Sequence, residues 1–411
     1  MGNTSPLAAP RPASSVSAGS RLPETGWRRW AAILVLLSSA PAMALMFAAL
    51  GPALPLVAAH FNGQTMTAKM IMTTPGMGVI AGGLIGGFVI EKIGVRLALF
   101  AGLLVYALAG AGGLYVGSIA GLLVTRFLLG VAVAHMSNCC LTLLGYWFNE
   151  TQRAKILGLQ AGVAGAVAVA MLLAGGTLAQ YGGWRAPFLI YLLALPVLAL
   201  ALVAVPRQAA PPTATVKTDW AAIASLWPIY LLVFALFLAY FMTSVQLTFL
   251  LSDDGVKSPI TRAFVIGAGV AAGGIFGGIF GPVYAWLGRR GARLLLIGMM
   301  AAGFALIGLT HQLWTIAAGA ILCGGGGGMI SPYVSSLMLA RAKLEMRSRA
   351  LGFMFMTFYL ADFLNPWAVY PAQAAFGIHG AFVGCALLLA IGLAATWRSG
   401  AQPKARVEIA L

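Results

Sequence analysis

Charge is scarce in this chain, and acid is the scarcest part of it. Of 411 residues, 8% are Asp, Glu, Lys or Arg, and nine are Asp or Glu; a soluble globular domain carries roughly 25% charged residues. A chain with so few solvated groups cannot clothe a water-facing surface, so water is not its main solvent. Histidine and cysteine are equally thin, at four each. An embedded enzyme site needs His, Asp or Glu clustered at catalytic or metal-ligand spacing, and the apolar stretches hold one His and one Asp far apart. The chain is therefore not read as an enzyme, and no cofactor or metal is expected. Cys139, Cys140, Cys323 and Cys385 all fall in apolar stretches, where a weakly polar side chain packs and no disulfide framework is implied. Alternation with period two over ~10-residue segments is missing, which excludes a transmembrane β-barrel. The glycine run Cys323–Gly328 lacks the Lys-Ser/Thr that completes a phosphate loop, and reads as a closely packed, flexible bending point.

Apolar length, by contrast, is abundant. Hydrophobic residues make up 61% of the chain, in twelve runs near Ala31–Val57, Thr67–Ile90, Leu97–Val116, Ile119–Tyr146, Ile156–Gln180, Pro187–Val205, Ala221–Leu251, Ile260–Leu287, Leu294–Leu309, Trp314–Ala340, Ala350–Ala374 and Ile378–Trp397. A helix needs roughly 20 such residues to cross a bilayer core. Ala and Gly are frequent within the runs, which suits helices that approach one another closely. The predicted fold is an all-α membrane protein with twelve transmembrane helices.

A net charge of +16 would point to nucleic acid in a soluble protein, but its placement argues otherwise. With twelve spans and both ends inside, Lys69, Arg185, Lys257 and Arg262 fall outside, Arg126 lies within a span, and the rest of the 25 Lys and Arg fall on the cytoplasmic side. That asymmetry is the signature of positive-inside sorting. The basic excess is topogenic, a nucleic-acid partner is excluded, and the expected location is the inner membrane, multi-pass, with both termini cytoplasmic. Residues 1–30, rich in Pro, Ser, Ala and Arg, read as a disordered cytoplasmic tail. Arg28-Arg29 mimics a twin-arginine export signal, yet the run that follows is long enough to span and no cleavage site closes it.

Landmarks recur at a nearly constant offset, 194 positions for two loops and 196 for Arg153 and Arg349. Gly87, Gly94 and Arg96 reappear 194 positions on as Gly281, Gly288 and Arg290, and Gly183–Phe188 has its counterpart in Gly377–Phe382. Arg153-Ala154 before Gly158 is echoed by Arg349-Ala350 before Gly352. Three loops holding one register indicate a duplicated six-helix unit: bundles at 31–205 and 221–398, a cytoplasmic linker at 206–220 and a cytoplasmic tail at 399–411. Repeats related by an axis along the membrane normal place a substrate site near the midplane between them.

The loop after the second run reads Gly87-Phe-Val-Ile-Glu91-Lys92-Ile-Gly94-Val-Arg96. It resembles the signature of the major facilitator superfamily: Gly, three residues, acid, base, any residue, Gly, any residue, base. Gly87 offers its backbone to a neighbouring helix, Gly94 permits the turn, and Lys92 and Arg96 hold the loop inside. Glu91 is suited to neutralise the positive N-terminal end of the eleventh helix; the resemblance implies that this contact latches the cytoplasmic side and breaks in the inward-open state. In the second copy Ala285 replaces the acid, so the latch is expected in the first half only.

The fourth run contains Arg126-Phe-Leu-Leu-Gly130-Val-Ala-Val-Ala134, similar to a second pattern of the family, with small residues expected to make room beside the cation. A charge at this depth costs ~2.5–3.5 kcal/mol on insertion scales and is kept where it has a role. Arg126 reads either as a substrate-anion or proton-coupling group, or as a fixed clasp to backbone carbonyls. His135, nine residues on, projects from the opposite face, as a packing residue or a proton carrier. Asp362 is the one carboxylate deep in a run; it reads as the proton-coupling acid, or as a group satisfying backbone freed at Asn365-Pro366.

The resemblance further implies a cavity walled by spans one, four, seven and ten. There the chain supplies Met43, Met46, Phe47, Asn138, Tyr240, Phe241, Gln246, Ser331, Tyr333 and Ser335, a lining suited to amphipathic organic molecules rather than sugars. Met43, Phe47, Arg126, Asn138, Tyr240, Gln246 and Tyr333 are the expected substrate contacts. Drug exporters of the family carry Gly-Pro and then Gly-Gly in the fifth span; here only Gly175-Gly176 remains. The expected function is a monomeric, proton-linked transporter of a small amphipathic compound working by alternating access, with export favoured. The alternative is an organic-anion–proton symporter for uptake.

Overall fold

A bilayer core offers no water to backbone polar groups, so each must be bonded within the protein, and apolar runs of this length answer with helix. The computed structural model describes residues 26–206, 219–343 and 346–398. Nearly all of the expected N-terminal tail, most of the linker and the C-terminal tail lie outside the described residues. Within them every long element is helical.

Among the described residues, eleven helical stretches are long and apolar enough to cross a membrane. The last, Arg347–Arg398, has 52 residues and contains Gly377 at φ 72°, ψ 176°. Unbroken, it would be about 78 Å long at 1.5 Å per residue, against a core of roughly 30 Å. Gly377 turns the chain back, and twelve crossings result. They are α1 (four pieces, Trp27–Leu37, Ser39–Ala48, Gly51–Ala53, Leu54–His60), α2 (Thr65–Ile93), α3 (Val95–Gly110), α4 (Ile119–Trp147), α5 (Glu150–Gly182), α6 (Ala186–Leu193 and Ala194–Ala204), α7 (Trp220–Ala224, Trp227–Val245, Leu247–Asp253), α8 (Pro259–Gly278 and 280–287), α9 (289–308), α10 (Leu313–Gly328 and Ile330–Arg341), α11 (347–376) and α12 (378–398). The predicted spans are thus located, but α1, α6, α7, α8 and α10 are segmented where continuous helices were expected. Proline explains two of the breaks. Pro52 and Pro55 in α1, and Pro332 just past the α10 break at Met329, supply no N–H to the preceding turn.

The duplication is visible in the backbone. Turns needing positive φ fall on glycine in matched places: Gly63 and Gly255, Gly94 and Gly288, Gly183 and Gly377. The helix pairs α2–α4 and α8–α10 are also built alike. Gly78, Gly82 and Gly86 of α2 meet Phe127, Val131 and Asn138 of α4, while Gly269, Gly273 and Gly277 of α8 meet Ala320, Gly324 and Gly328 of α10. A side chain on Gly130 would overlap the Pro75 carbonyl, and one on Gly324, 194 positions on, would overlap the Gly269 carbonyl. Small residues every fourth position form one helical stripe, so the two backbones touch. This corrects the expectation for Gly130 and Ala134, which make room for α2 rather than for Arg126.

The same geometry explains the glycine run. Gly324 and Gly328 meet α8, Gly326 meets Leu296 and Met300 of α9, and Gly327 lies under the Tyr240 ring of α7. Three helices converge on one turn of α10, whose ladder breaks immediately after it. Two large apolar clusters follow, one running from Val35 to Val205 and the other from Leu226 to Ala386, with Leu54, Met72, Leu172 and Tyr359 crossing over.

Candidate functional site

The two halves meet along a seam, and its contacts are uneven. The first and last described helix ends, at Trp27 and Arg398, and the turns at Gly94 and Gly288 share one end of the bundle, here called the basic end; Gly63, Gly183, Gly255 and Gly377 lie at the opposite end. Toward the opposite end, Lys69 of α2 donates to Gln373 Oε1 of α11 at 2.7 Å and sits 5.1 Å from the centre of the Phe249 ring. Ser258 bonds Gln180 at 2.7 Å, and Gly176 of α5 packs on Pro259 and Ala263 of α8. Toward the basic end the seam parts. Gly83 and Gly87 of α2, Gly158 and Gly162 of α5, and Gly274 and Gly278 of α8 have nothing within 4 Å of where a side chain would start.

Asp362 lies where the closed part of the seam gives way to the open part. It is fully buried, and a Cβ on Gly76 of α2 would stand 3.1 Å from its Oδ2. Neither carboxylate oxygen has a hydrogen-bond partner among the described residues. The reading in which Asp362 merely satisfies freed backbone is therefore not supported. Asn365 has the structural task instead: its Nδ2 donates to Leu238 O at 2.9 Å and its Oδ1 accepts from Gln246 Nε2 at 3.2 Å. That pair ties α11 to the break in α7, so Gln246 is a buried brace. One turn before Asp362, the Tyr359 hydroxyl donates to Met43 Sδ of α1 at 3.1 Å. Phe358 packs on Phe237 and Phe241, and Phe241 faces Phe47 of α1 across the seam at 6.1 Å between ring centres.

Arg126 is placed quite differently. Fully buried, it donates from Nη2 to Gly110 O at 2.9 Å and lies 4.6 and 4.8 Å from the centres of the Phe188 and Tyr191 rings. Gly110 belongs to α3 and both rings to α6, so of the two readings this geometry is that of the clasp, within one half. His135 is wedged beside Gly86 of α2 and Gly102 of α3 and is nearly buried, a packing position. Arg126, His135 and Asp362 are not brought together.

In the loop motif, Gly94 takes φ 81° and ends α2. Arg96 donates to Leu202 O at 3.0 Å, so the cation closes the last turn of α6, where the helix dipole favours it. Glu91 and Lys92 are exposed, and no hydrogen bond or ion pair holds Glu91 among the described residues. Gly87 faces open space rather than a packed neighbour.

The expected cavity lining divides in two. Met43, Phe47, Asn138 and Tyr240 are half-buried, and Tyr240 edges a small cleft with Thr243, Ser244 and Gly324. Tyr333 and Gln246 are fully buried. Lys69 and Arg262, expected at the outer side, stand buried in the first turns of α2 and α8. Sequence reasoning missed Gly76, Phe358, Tyr359 and the Lys69–Gln373 bond. Tyr359 and Gly76 carried a usable signal, the first by its i, i+3 spacing to Asp362 and the second as a small residue at mid-span.

Twelve crossings in two repeated bundles, with buried polar groups at their seam, define a multi-pass helical membrane protein of the duplicated type. Residues 36–366 match the profile of the Major Facilitator Superfamily, and the chain belongs to that family. It is 30% identical over 159 residues to the puromycin resistance protein pur8 of Streptomyces alboniger, covering 38% of this chain and 32% of that one. It is 26% identical over 153 residues to the arabinose-proton symporter of Escherichia coli (strain K12), covering 37% and 32%. The matched region thus spans about a third of each of these relatives. Among solved structures, the nucleoside transporter NupG superposes with a TM-score of 0.72 at 12% identity, over 91% of this chain and all of that one. An autoinhibited POT family peptide transporter gives 0.67 at 13% identity, over 91% and 98%.

Proposed function

We propose that the chain is a proton-coupled secondary transporter that exports a small amphipathic organic compound across the inner membrane. The bundles at 31–205 and 221–398 rock against each other about the seam, and both termini are cytoplasmic, so the basic end opens inward. The observation that carries the reading is Asp362: a buried carboxylate with no partner, between the halves, at the boundary of the sealed and open parts of the seam. A bare charge is costly in such a place and a protonated acid is not, so protonation and closure of the seam around Asp362 favour each other. Opening to either side returns the acid to water, where the proton leaves.

Substrate is held between Met43, Phe47, Asn138, Tyr240 and the Phe241–Phe358 cluster, an apolar and aromatic wall with few polar groups. Glu91 and the N-terminal end of α11 form the inner latch, released in the conformation described here. The puromycin resistance relative supports export, and the arabinose-proton symporter supports a proton as the coupling ion. Anion symport, the second reading, assigns the substrate carboxylate to Arg126. That residue's burial against Gly110, Phe188 and Tyr191 favours the first.

The test is proton flux in sealed proteoliposomes, with puromycin as first probe and a panel of amphipathic amines and organic acids behind it. Antiport predicts that an imposed substrate gradient drives protons in the opposite direction. Protons moving with the substrate would establish symport, and substrate movement without any proton flux would remove Asp362 from the mechanism.

A further inference from the structure

At the opposite end of the second half, three side chains from three separate turns converge. Asp254 follows α7, His311 lies in the turn between α9 and α10, and His379 begins α12. Their sequence separations hide them from any motif search, and the sequence predicted no metal. Asp254 Oδ1 lies 2.7 Å from His311 Nδ1 and 3.0 Å from His379 Nε2, the two imidazole rings are 4.2 Å apart, and the three ligand atoms fall within 4.8 Å of one another. The carboxylate is the telling member. Its side chain is only 7% exposed, yet Oδ2 has no partner among the described residues. Two imidazoles crowd one oxygen of a buried carboxylate while the other oxygen stands idle.

We propose that Asp254, His311 and His379 bind a divalent transition-metal ion of the zinc class, taken from the aqueous face at this end. Imidazole with carboxylate is a donor set such ions prefer over magnesium or calcium. In a tetrahedral site with bonds of about 2.0–2.1 Å, neighbouring ligand atoms stand about 3.3 Å apart, so the Asp254–His311 and Asp254–His379 contacts of 2.7 and 3.0 Å have to lengthen by about 0.6 and 0.3 Å. The two imidazole nitrogens, already within 4.8 Å of each other, settle to the same spacing. His311 Nδ1, which now donates to Asp254, binds the ion as its neutral tautomer with the proton moved to Nε2, on a ring that is 76% exposed to water. His379 Nε2 and one or both carboxylate oxygens complete the protein's share, and a water entering past His311 fills the remaining position. The bound ion joins the α7–α8, α9–α10 and α11–α12 turns of one half into a single body. The proposal does not depend on the transported compound or on Asp362.

The test uses the full chain in detergent, purified on a histidine-free tag and stripped with a chelator. Co2+ is the spectroscopic probe and Zn2+ the competitor. The expected result is one Co2+ per chain with the visible absorption of a low-coordinate site, displaced by Zn2+ and not by Mg2+, together with a higher melting temperature in Zn2+. H311A and H379A each weaken Zn2+ binding at least about tenfold, since even residues behind a metal's ligands are worth 10–100-fold. H60A is the control, because His60 packs beside Trp184 in the other half and leaves binding unchanged. If D254N fails to fold, the exposed His311 still supplies a variant that tests the site. Undiminished binding in the H311A/H379A double variant, or no Co2+ bound at millimolar concentration, overturns the proposal and leaves the cluster a hydrogen-bonded staple between turns.

Discussion

The two halves share a skeleton and differ in what they bury. Positive-φ turns, the glycine stripes of α2 and α8, and the tight crossings at Gly130 and Gly324 all recur. The buried cations in the first turns of α2 and α8, Lys69 and Arg262, are matched as well, but the charges buried at mid-span are not. The first half encloses Arg126, held by a carbonyl and two aromatic rings inside its own bundle; the second encloses Asp362, unbonded and pressed against the other half. Duplication has kept what backbone packing requires, whereas chemistry sits where the copies diverge. A partnered internal charge is architecture, and an unpartnered charge at a moving interface is a candidate for mechanism.

The contrast between the halves breaks most visibly at Asp362. Asp362→Asn is expected to abolish transport driven by a pH gradient while sparing substrate exchange in proteoliposomes; unchanged net transport would put the two buried charges on an equal footing. Next in size come the matched crossings. Gly130→Val and Gly324→Val force a side chain into a facing carbonyl, with an overpacking cost of about 1–3 kcal/mol or more, and both should lower the melting temperature in detergent by similar amounts. Gly87→Ala and Gly281→Ala meet nothing in this conformation and should leave it unchanged. A third contrast is Arg126→Lys, which loses the planar stacking on Phe188 and Tyr191. It should reduce stability yet keep the proton-to-substrate ratio of the parent, whereas an altered ratio would make Arg126 a coupling residue. Glu91→Gln should have the smallest effect, since a carboxylate at a helix N-terminus is worth about 0.3–1 kcal/mol. It should shift the population toward the inward-open form, read as increased cysteine labelling at the basic end, and equal labelling in mutant and parent would argue against the latch.

Much of the architecture is legible in the amino-acid sequence alone. Apolar run length fixes crossings because the bilayer tolerates little else, and a nearly constant offset between loops exposes duplication even in low-complexity sequence. Asp362 stands out because a lone acid in an apolar run is rare. Partners are not legible. Arg126 reads either as a cavity group or as a clasp, because depth can be taken from sequence and orientation only partly; which of the two it is depends on Gly110, Phe188 and Tyr191, which no local spacing links to it. Gly130 and Ala134 are legible as a stripe but not with their true neighbour, since a stripe says that something approaches closely and not what. The breaks in α1 and α10 stay hidden because mean hydropathy is blind to a missing N–H, and the break in α7 at Gln246 carries no proline at all.

Alternating access requires the halves to part at the Gln180–Ser258 end once in every transport cycle. A Gln180→Cys/Ser258→Cys pair in a background lacking the four native cysteines tests this directly, because those side chains already touch at 2.7 Å. Oxidising the pair is expected to stop transport, in proteoliposomes, of whichever compound the substrate panel shows to be carried, and reduction to restore it. Full transport through a quantitatively cross-linked protein would contradict the rocking of the two halves.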